Sequence, residues 1–125
     1  MSGEVILIVE DNEKNRILAR DMLESRGYET LETTTGEEGI RLAREHQPAL
    51  VLLDIHLPGI DGIETFRRLR ADPATAAIPV IAVTASAMPD DQAHIKEVGF
   101  DRYLSKPINI KLFLEAVKDV IDATG

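Results

Sequence analysis

Near its amino terminus the chain runs Val5-Ile6-Leu7-Ile8-Val9 and then turns acidic at Glu10-Asp11. No polar residue alternates within the apolar run, so a strand built from it must bury both faces. That is the pattern of a central parallel strand, not of a half-exposed antiparallel one. Two similar runs follow, Leu50-Val51-Leu52-Leu53 and Val80-Ile81-Ala82-Val83. Tyr28 to Glu32 is more polar and is predicted as an edge strand, and Arg102 to Ser105 as a short fifth strand.

The segments between these runs have helical spacing. Ile17, Leu18, Met22 and Leu23 are predicted to share one inward face before Gly27, a left-handed C-terminal cap. Gly36 to His46 reads as a helix with Ile40 and Ala43 inward and Pro48 as its stop, and Ile63 to Ala71 as a third helix. Asp72-Pro73-Ala74-Thr75 then opens a loop that closes at Pro79. Pro89 suits the first turn of a fourth helix, Asp90 and Asp91 favour its positive end, and Gly99 closes it. Asn109 is placed to cap a last helix with Leu112, Ala116, Val120 and Ile121 inward.

Five strands in strict alternation with five helices predict an α/β protein of the flavodoxin-like, doubly wound class, a parallel sheet in the order 2-1-3-4-5 covered on both faces. Such sheets carry their functional groups beyond the carboxyl ends of the strands, where the strand order reverses between the first and the third. A length of 125 residues fits one domain spanning 1–125, with no second domain appended. With 44% hydrophobic and 29% charged residues the composition is that of a globular protein, and no apolar run approaches a membrane span. The opening residues lack the basic region of a secretory signal, and the chain has no cysteine, so a cytoplasmic location is expected. A net charge of −8, from 14 basic against 22 acidic residues, opposes direct binding of nucleic acid; Arg67-Arg68-Leu69-Arg70 is too small a patch to reverse this.

At the strand ends stand Glu10 and Asp11, then Asp54, then Thr84, then Lys106-Pro107. Three carboxylates brought together raise one another's pKa unless a cation joins them. Every available ligand is an oxygen, which favours Mg²⁺. A carboxylate beside that ion, with an ammonium and a hydroxyl in reach, has what phosphoryl transfer to an acyl oxygen requires. Asp54, alone on the central strand, is the nucleophile candidate, Asp11 the direct metal ligand, and Glu10 a ligand acting through water. Singly, each has an ordinary structural explanation: an acidic pair can cap a helix, and a strand-ending aspartate can form a turn, as Asp61-Gly62 does. Their joint placement at successive strand ends is what argues for chemistry.

With these residues in hand, the sequence resembles the receiver domains of two-component response regulators. The resemblance is carried by Ile6-Leu7-Ile8-Val9-Glu10-Asp11-Asn12, by Leu53-Asp54-Ile55-His56-Leu57-Pro58-Gly59-Ile60-Asp61-Gly62, by Pro79-Val80-Ile81-Ala82-Val83-Thr84-Ala85 and by Tyr103-Leu104-Ser105-Lys106-Pro107. Within the family it looks most like DivK-type single-domain regulators and the receivers of hybrid kinases, on Val83-Thr84-Ala85-Ser86-Ala87-Met88 and Gly27-Tyr28-Glu29-Thr30. The resemblance implies that Asp54 accepts a phosphoryl group from a phosphohistidine on a sensor histidine kinase or a histidine phosphotransfer protein. It implies Mg²⁺ held by Glu10, Asp11, Asp54 and the backbone carbonyl of His56, with Thr84 and Lys106 on the phosphoryl oxygens. Thr84 and Tyr103 would form the switch that remodels the surface of the fourth helix, fifth strand and fifth helix, and Lys106-Pro107 would be a cis peptide. His56, two residues past the acceptor, stands where the family varies. The implied role is a stand-alone phosphorelay or protein-binding switch, monomeric or weakly dimeric, that catalyses its own phosphorylation and dephosphorylation without being a dedicated enzyme. Its output is a downstream protein target.

Three other readings compete. A flavodoxin-like FMN protein shares the sheet order, but Glu10-Asp11-Asn12-Glu13 would repel the phosphate. A hydrolase of the haloacid dehalogenase type needs a second aspartate where His56 stands. The last is a receiver-shaped adaptor that works without phosphorylation.

Overall fold

The computed structural model describes residues 3–85 and 89–124. Strands β1 (Val5–Val9), β2 (Glu29–Thr33), β3 (Leu50–Asp54), β4 (Val80–Thr84) and β5 (Arg102–Ser105) alternate with helices α1 (Glu13–Glu24), α2 (Gly36–His46), α3 (Gly62–Ala71), α4 (Pro89–Val98) and α5 (Ile110–Thr124). Every strand pair is parallel and the order is β2-β1-β3-β4-β5, as expected, with the two polar strands at the edges. No helix among the described residues is long and apolar enough to cross a membrane.

The unbroken apolar runs are explained by helices on both faces. Ile6, Ile8, Leu50, Leu52 and Ile81 point to one side and pack against Ala19, Met22 and Leu23 of α1 and Phe113, Ala116 and Val117 of α5. The alternate residues Leu7, Val9, Val51, Leu53 and Val80 point to the other, against Ala43 of α2 and Phe66 and Leu69 of α3. A smaller cluster of Ile55, Ala82 and Ile95 seats α4.

Two apolar residues face the other way from their prediction. Leu18 is 42% exposed and Leu112 is 56% exposed, and the inward positions are Ala19 and Phe113. One residue turns a helix by about 100°, so at that one point of each helix the inward position is the next residue, while Met22, Leu23, Ala116, Val120 and Ile121 are buried as expected. β2 begins at Glu29 instead of Tyr28, because the Tyr28 N–H is still bonded to the Leu23 carbonyl at 3.2 Å in the turn that leaves α1. Gly27 has the expected left-handed conformation at φ +87°, two residues past the helix cap at Ser25. α3 starts one residue early, at Gly62. Gly99 has a positive φ after α4, and Asn109 Oδ1 accepts the Leu112 N–H at 3.1 Å, so both end signals hold. Ser86-Ala87-Met88 and the side chains of Asp90 and Asp91 lie outside the described residues.

Candidate active site

Strand register alone brings the candidate residues together. Val9 pairs with Leu53, so Glu10 and Asp54 follow on adjacent strands; Asp54 pairs with Val83 and Thr84 with Ser105, so Thr84 and Lys106 complete the row. The Lys106 N–H continues the ladder by donating to the Thr84 carbonyl at 2.8 Å. The Lys106-Pro107 peptide is cis, as expected.

Asp54 and Glu10 are buried, and Asp11 is exposed at the mouth. Lys106 Nζ lies 2.7 Å from Glu10 Oε1 and 3.3 Å from Asp54 Oδ2, bridging the two carboxylates. Burial raises the pKa of Glu10, and the neighbouring Asp54 carboxylate adds to the rise, against the pull of Lys106 and the Asn12 N–H. Burial acts to lower the Lys106 ammonium, but its hydrogen bond to Glu10 and the charges of Asp54 and Glu10 prevail, so its pKa is raised. The lysine therefore stays charged between two acids.

Backbone donors orient the carboxylates. The His56 N–H donates to Asp54 Oδ1 at 3.1 Å and the Asn12 N–H to Glu10 Oε2 at 3.2 Å. His56 itself is exposed. Asn12 also caps α1 by accepting the Asn15 N–H at 3.0 Å. Arg16, one turn later, donates to the Glu10 carbonyl at 3.1 Å and pairs with Glu32 at 3.4 Å. The capping role of Asn12 and the contacts of Arg16 are not among the expectations from the sequence; an asparagine just before the helix start is the N-cap signal that leads to the first. Gly62 was read only as part of a turn. A Cβ there would meet the Asp54 carbonyl and come within 2.7 Å of Ile55 Cα, so α3 can begin this close to the site only on glycine.

Glu10, Asp11 and Asp54 each offer a carboxylate oxygen within 4.8 Å of the others. That donor set, all oxygen and anionic, fits a hard divalent cation such as Mg²⁺. Beside it a cleft of about 150 Å³ is lined by Ile55, His56, Asp61, Ile63, Thr84, His94 and Ile95. Thr84 is completely buried at its edge. Tyr103 is half-buried against the Ile55, Ala82 and Ile95 cluster, with Lys96 Nζ 5.5 Å from its ring centre. The sheet edge thus gathers the acids, Thr84 and Lys106, and sets Tyr103 one cluster away.

Comparison with known proteins agrees with this architecture. Residues 6–118 match the family model described as the response regulator receiver domain. The chain is 47% identical over 116 residues to the polar-differentiation response regulator DivK of Brucella ovis and to that of Brucella abortus, covering 93% of this chain and 94% of each relative. Among solved structures it is similar to the receiver domain of a sensor histidine kinase from Pseudomonas aeruginosa, described with a magnesium ion coordinated in its active-site cleft. The identity is 31% and the TM-score 0.89, over 97% of this chain and 99% of that one. It is also similar to a CheY-like receiver domain protein from Methanospirillum hungatei, 29% identical with a TM-score of 0.88, over 98% of this chain and 97% of that one.

Proposed function

Since the chain belongs to the response regulator receiver family, we propose that it is a phosphorylation switch in which Asp54 takes a phosphoryl group from a phosphohistidine. The donor is a sensor histidine kinase or a histidine phosphotransfer protein. An Asp54 carboxylate oxygen forms a bond to phosphorus as the N–P bond of the donor breaks, and the leaving imidazole keeps the electron pair and takes up a proton. Carrying this reading is one observation: a buried carboxylate on the central strand held 3.3 Å from an ammonium, with two more acids beside it.

Glu10, Asp11, Asp54 and the His56 carbonyl are the residues that would hold Mg²⁺. Bound there, the ion supplies positive charge to the equatorial phosphoryl oxygens. The Lys106 ammonium neutralises further charge, and the Thr84 hydroxyl donates a hydrogen bond to the transferred group. The His56 N–H keeps the carboxylate turned toward the mouth. When Thr84 is drawn to the phosphoryl group, the Tyr103 ring turns inward, and the surface of α4, β5 and α5 changes for a downstream protein. In this reading the protein acts in the cytoplasm as a monomer or weak dimer, catalyses its own phosphorylation and dephosphorylation, and serves no other reaction.

Incubation with Mg²⁺ and acetyl phosphate, followed by intact-mass measurement, tests the assignment. The expected result is a gain of one phosphoryl group that disappears in Asp54→Asn. Retention of the gain in that variant refutes the acceptor, and no gain in the unaltered protein favours an adaptor that works without phosphorylation.

A further inference from the structure

We propose that Arg16 is a positioning residue for metal binding: by fixing the Glu10–Asp11 peptide it aims Asp11, the acid at the mouth of the site, at the cation. The inference rests on the reading of Glu10, Asp11 and Asp54 as the seat of Mg²⁺, and it adds a residue outside that set. Glu10 and Asp54 are oriented by other groups, the Asn12 and His56 N–H and the Lys106 ammonium. The Asp11 side chain takes no hydrogen bond or ion pair among the described residues. Its aim is therefore set by its main chain.

The main chain that leads into Asp11 is clamped on both sides. The Glu10 N–H donates to the Thr33 carbonyl at 3.0 Å, extending the β1–β2 ladder. The Glu10 carbonyl stands past the last residue of β1, and Arg16 Nη1 donates to it at 3.1 Å. The same half-buried guanidinium is anchored from the edge strand. Arg16 Nε lies 3.4 Å from Glu32 Oε1, and Glu32 is held in turn by Arg20 at 3.6 Å. Two nitrogens of one planar fork thus serve two partners, the carbonyl and the carboxylate, which a single ammonium on a flexible stem does not reproduce. The bond to the carbonyl is charge-assisted and so stronger than a neutral one. Because the peptide unit is planar, holding the Glu10 carbonyl fixes the direction of the Asp11 N–H and narrows the paths open to the Asp11 side chain.

The sign of the effect separates positioning from charge. Arg16 is a cation beside an acidic cluster, so by charge alone its removal strengthens binding of a divalent ion. Positioning demands the reverse. Metal sites lose affinity when the groups that orient their ligands are removed, commonly by about ten- to a hundredfold.

Calorimetric titration with Mg²⁺ of the unaltered protein, Arg16→Met, Arg16→Lys and Glu32→Ala tests the proposal. Methionine keeps the apolar stem and removes both bonds. The Kd for Mg²⁺ is expected to rise about tenfold in Arg16→Met, and Arg16→Lys recovers part of that loss. Glu32→Ala keeps Arg16 in place and weakens binding on its own, but adds nothing to Arg16→Met, because its effect runs through the guanidinium. At saturating Mg²⁺ the uptake of phosphate from acetyl phosphate in Arg16→Met returns to within about twofold of the unaltered rate. In the metal-free protein, amide ¹⁵N relaxation shows more motion at Asp11 in Arg16→Met and Glu32→Ala, and none added at Asp54. Mg²⁺ binding in Arg16→Met as tight as in the unaltered protein, or tighter, overturns the proposal and leaves Arg16 as a charge alone. So does unchanged binding in Glu32→Ala, an additive loss in the double variant, a rate that stays low at saturating Mg²⁺, or an Asp11 amide as ordered as before. Failure of the unaltered protein to take up Mg²⁺ is a separate result: it overturns the reading of the three acids as the metal seat, and the proposal with it.

Discussion

Asp54 sits next to a Glu10 whose pKa burial and the Asp54 carboxylate push upward. Asp54→Asn removes that charge but keeps an oxygen to accept the His56 N–H, and it leaves Lys106 on Glu10 at 2.7 Å. Without Mg²⁺ the variant is therefore expected to be more stable by about 1 kcal/mol, the usual scale on which functional sites sacrifice stability. Thermal melting in EDTA measures it, and a fall in melting temperature contradicts the account of a strained acidic cluster. Gly62→Ala acts in the opposite direction. The new methyl meets the Asp54 carbonyl and Ile55 Cα at 2.7 Å, backbone atoms that cannot rotate away. A loss of about 1–3 kcal/mol is expected, together with slower uptake of phosphate from acetyl phosphate, because relief of the clash moves the strand end that carries Asp54. Unchanged stability and unchanged uptake together would show that the close approach of α3 is not needed.

Between elements, stability depends on which face of each helix turns inward. On α5, Phe113 is completely buried while its neighbour Leu112 is 56% exposed. Phe113→Ala is expected to cost about 3–5 kcal/mol, and Leu112→Ala to stay within about 0.5 kcal/mol of the unaltered protein; urea unfolding of the pair reads the face directly. This is also where the sequence was hardest to read. The strands were legible because Ile6 to Val9, Leu50 to Leu53 and Val80 to Val83 are apolar without interruption, which few environments other than a doubly covered sheet permit. The acceptor and its companions were legible because parallel strands end in register. One position on each of α1 and α5 was not, since Leu18 and Leu112 are larger and more apolar than Ala19 and no less apolar than Phe113, and only packing against the sheet decides between neighbours. Arg16 and Gly62 were missed for a related reason: each acts on a main-chain carbonyl or a close approach, and neither leaves a pattern in residue types. One contact between helices also sets an acid limit. Asp72, at the end of α3, accepts the Ala74 N–H at 2.9 Å and the Arg44 guanidinium of α2, and both hold its pKa below the ordinary 3.8. A depressed carboxylate pKa stabilises the folded state above the unfolded value and loses that contribution as pH falls through the folded one. Asp72→Asn should therefore flatten the decline of melting temperature on the acid side of pH 4 and show its full deficit at neutral pH; a parallel acid decline in both proteins removes Asp72 from that role.

Across the whole molecule the same crowding of carboxylates makes stability a reporter of the metal. A ligand that binds only the folded state stabilises it by RT ln(1 + [L]/Kd), which is about 2.7 kcal/mol at a hundredfold excess over Kd. Because the chain carries −8, added salt of any kind also relieves general repulsion, so a rise in melting temperature with MgCl₂ is not by itself diagnostic. The distinction lies in which variants keep the response. Screening depends on the total charge, and Asp11→Asn alters it only from −8 to −7, by removal of one of the 22 acidic residues. Site binding depends on the three carboxylates gathered within 4.8 Å. The unaltered protein should therefore melt progressively higher as MgCl₂ is raised at constant ionic strength, with EDTA restoring the original value. Asp11→Asn and Asp54→Asn should lose most of that increment while keeping the response to KCl. If both variants respond to Mg²⁺ as the unaltered protein does, the ion acts on the general field of the molecule, and the acids at the strand ends are not its seat.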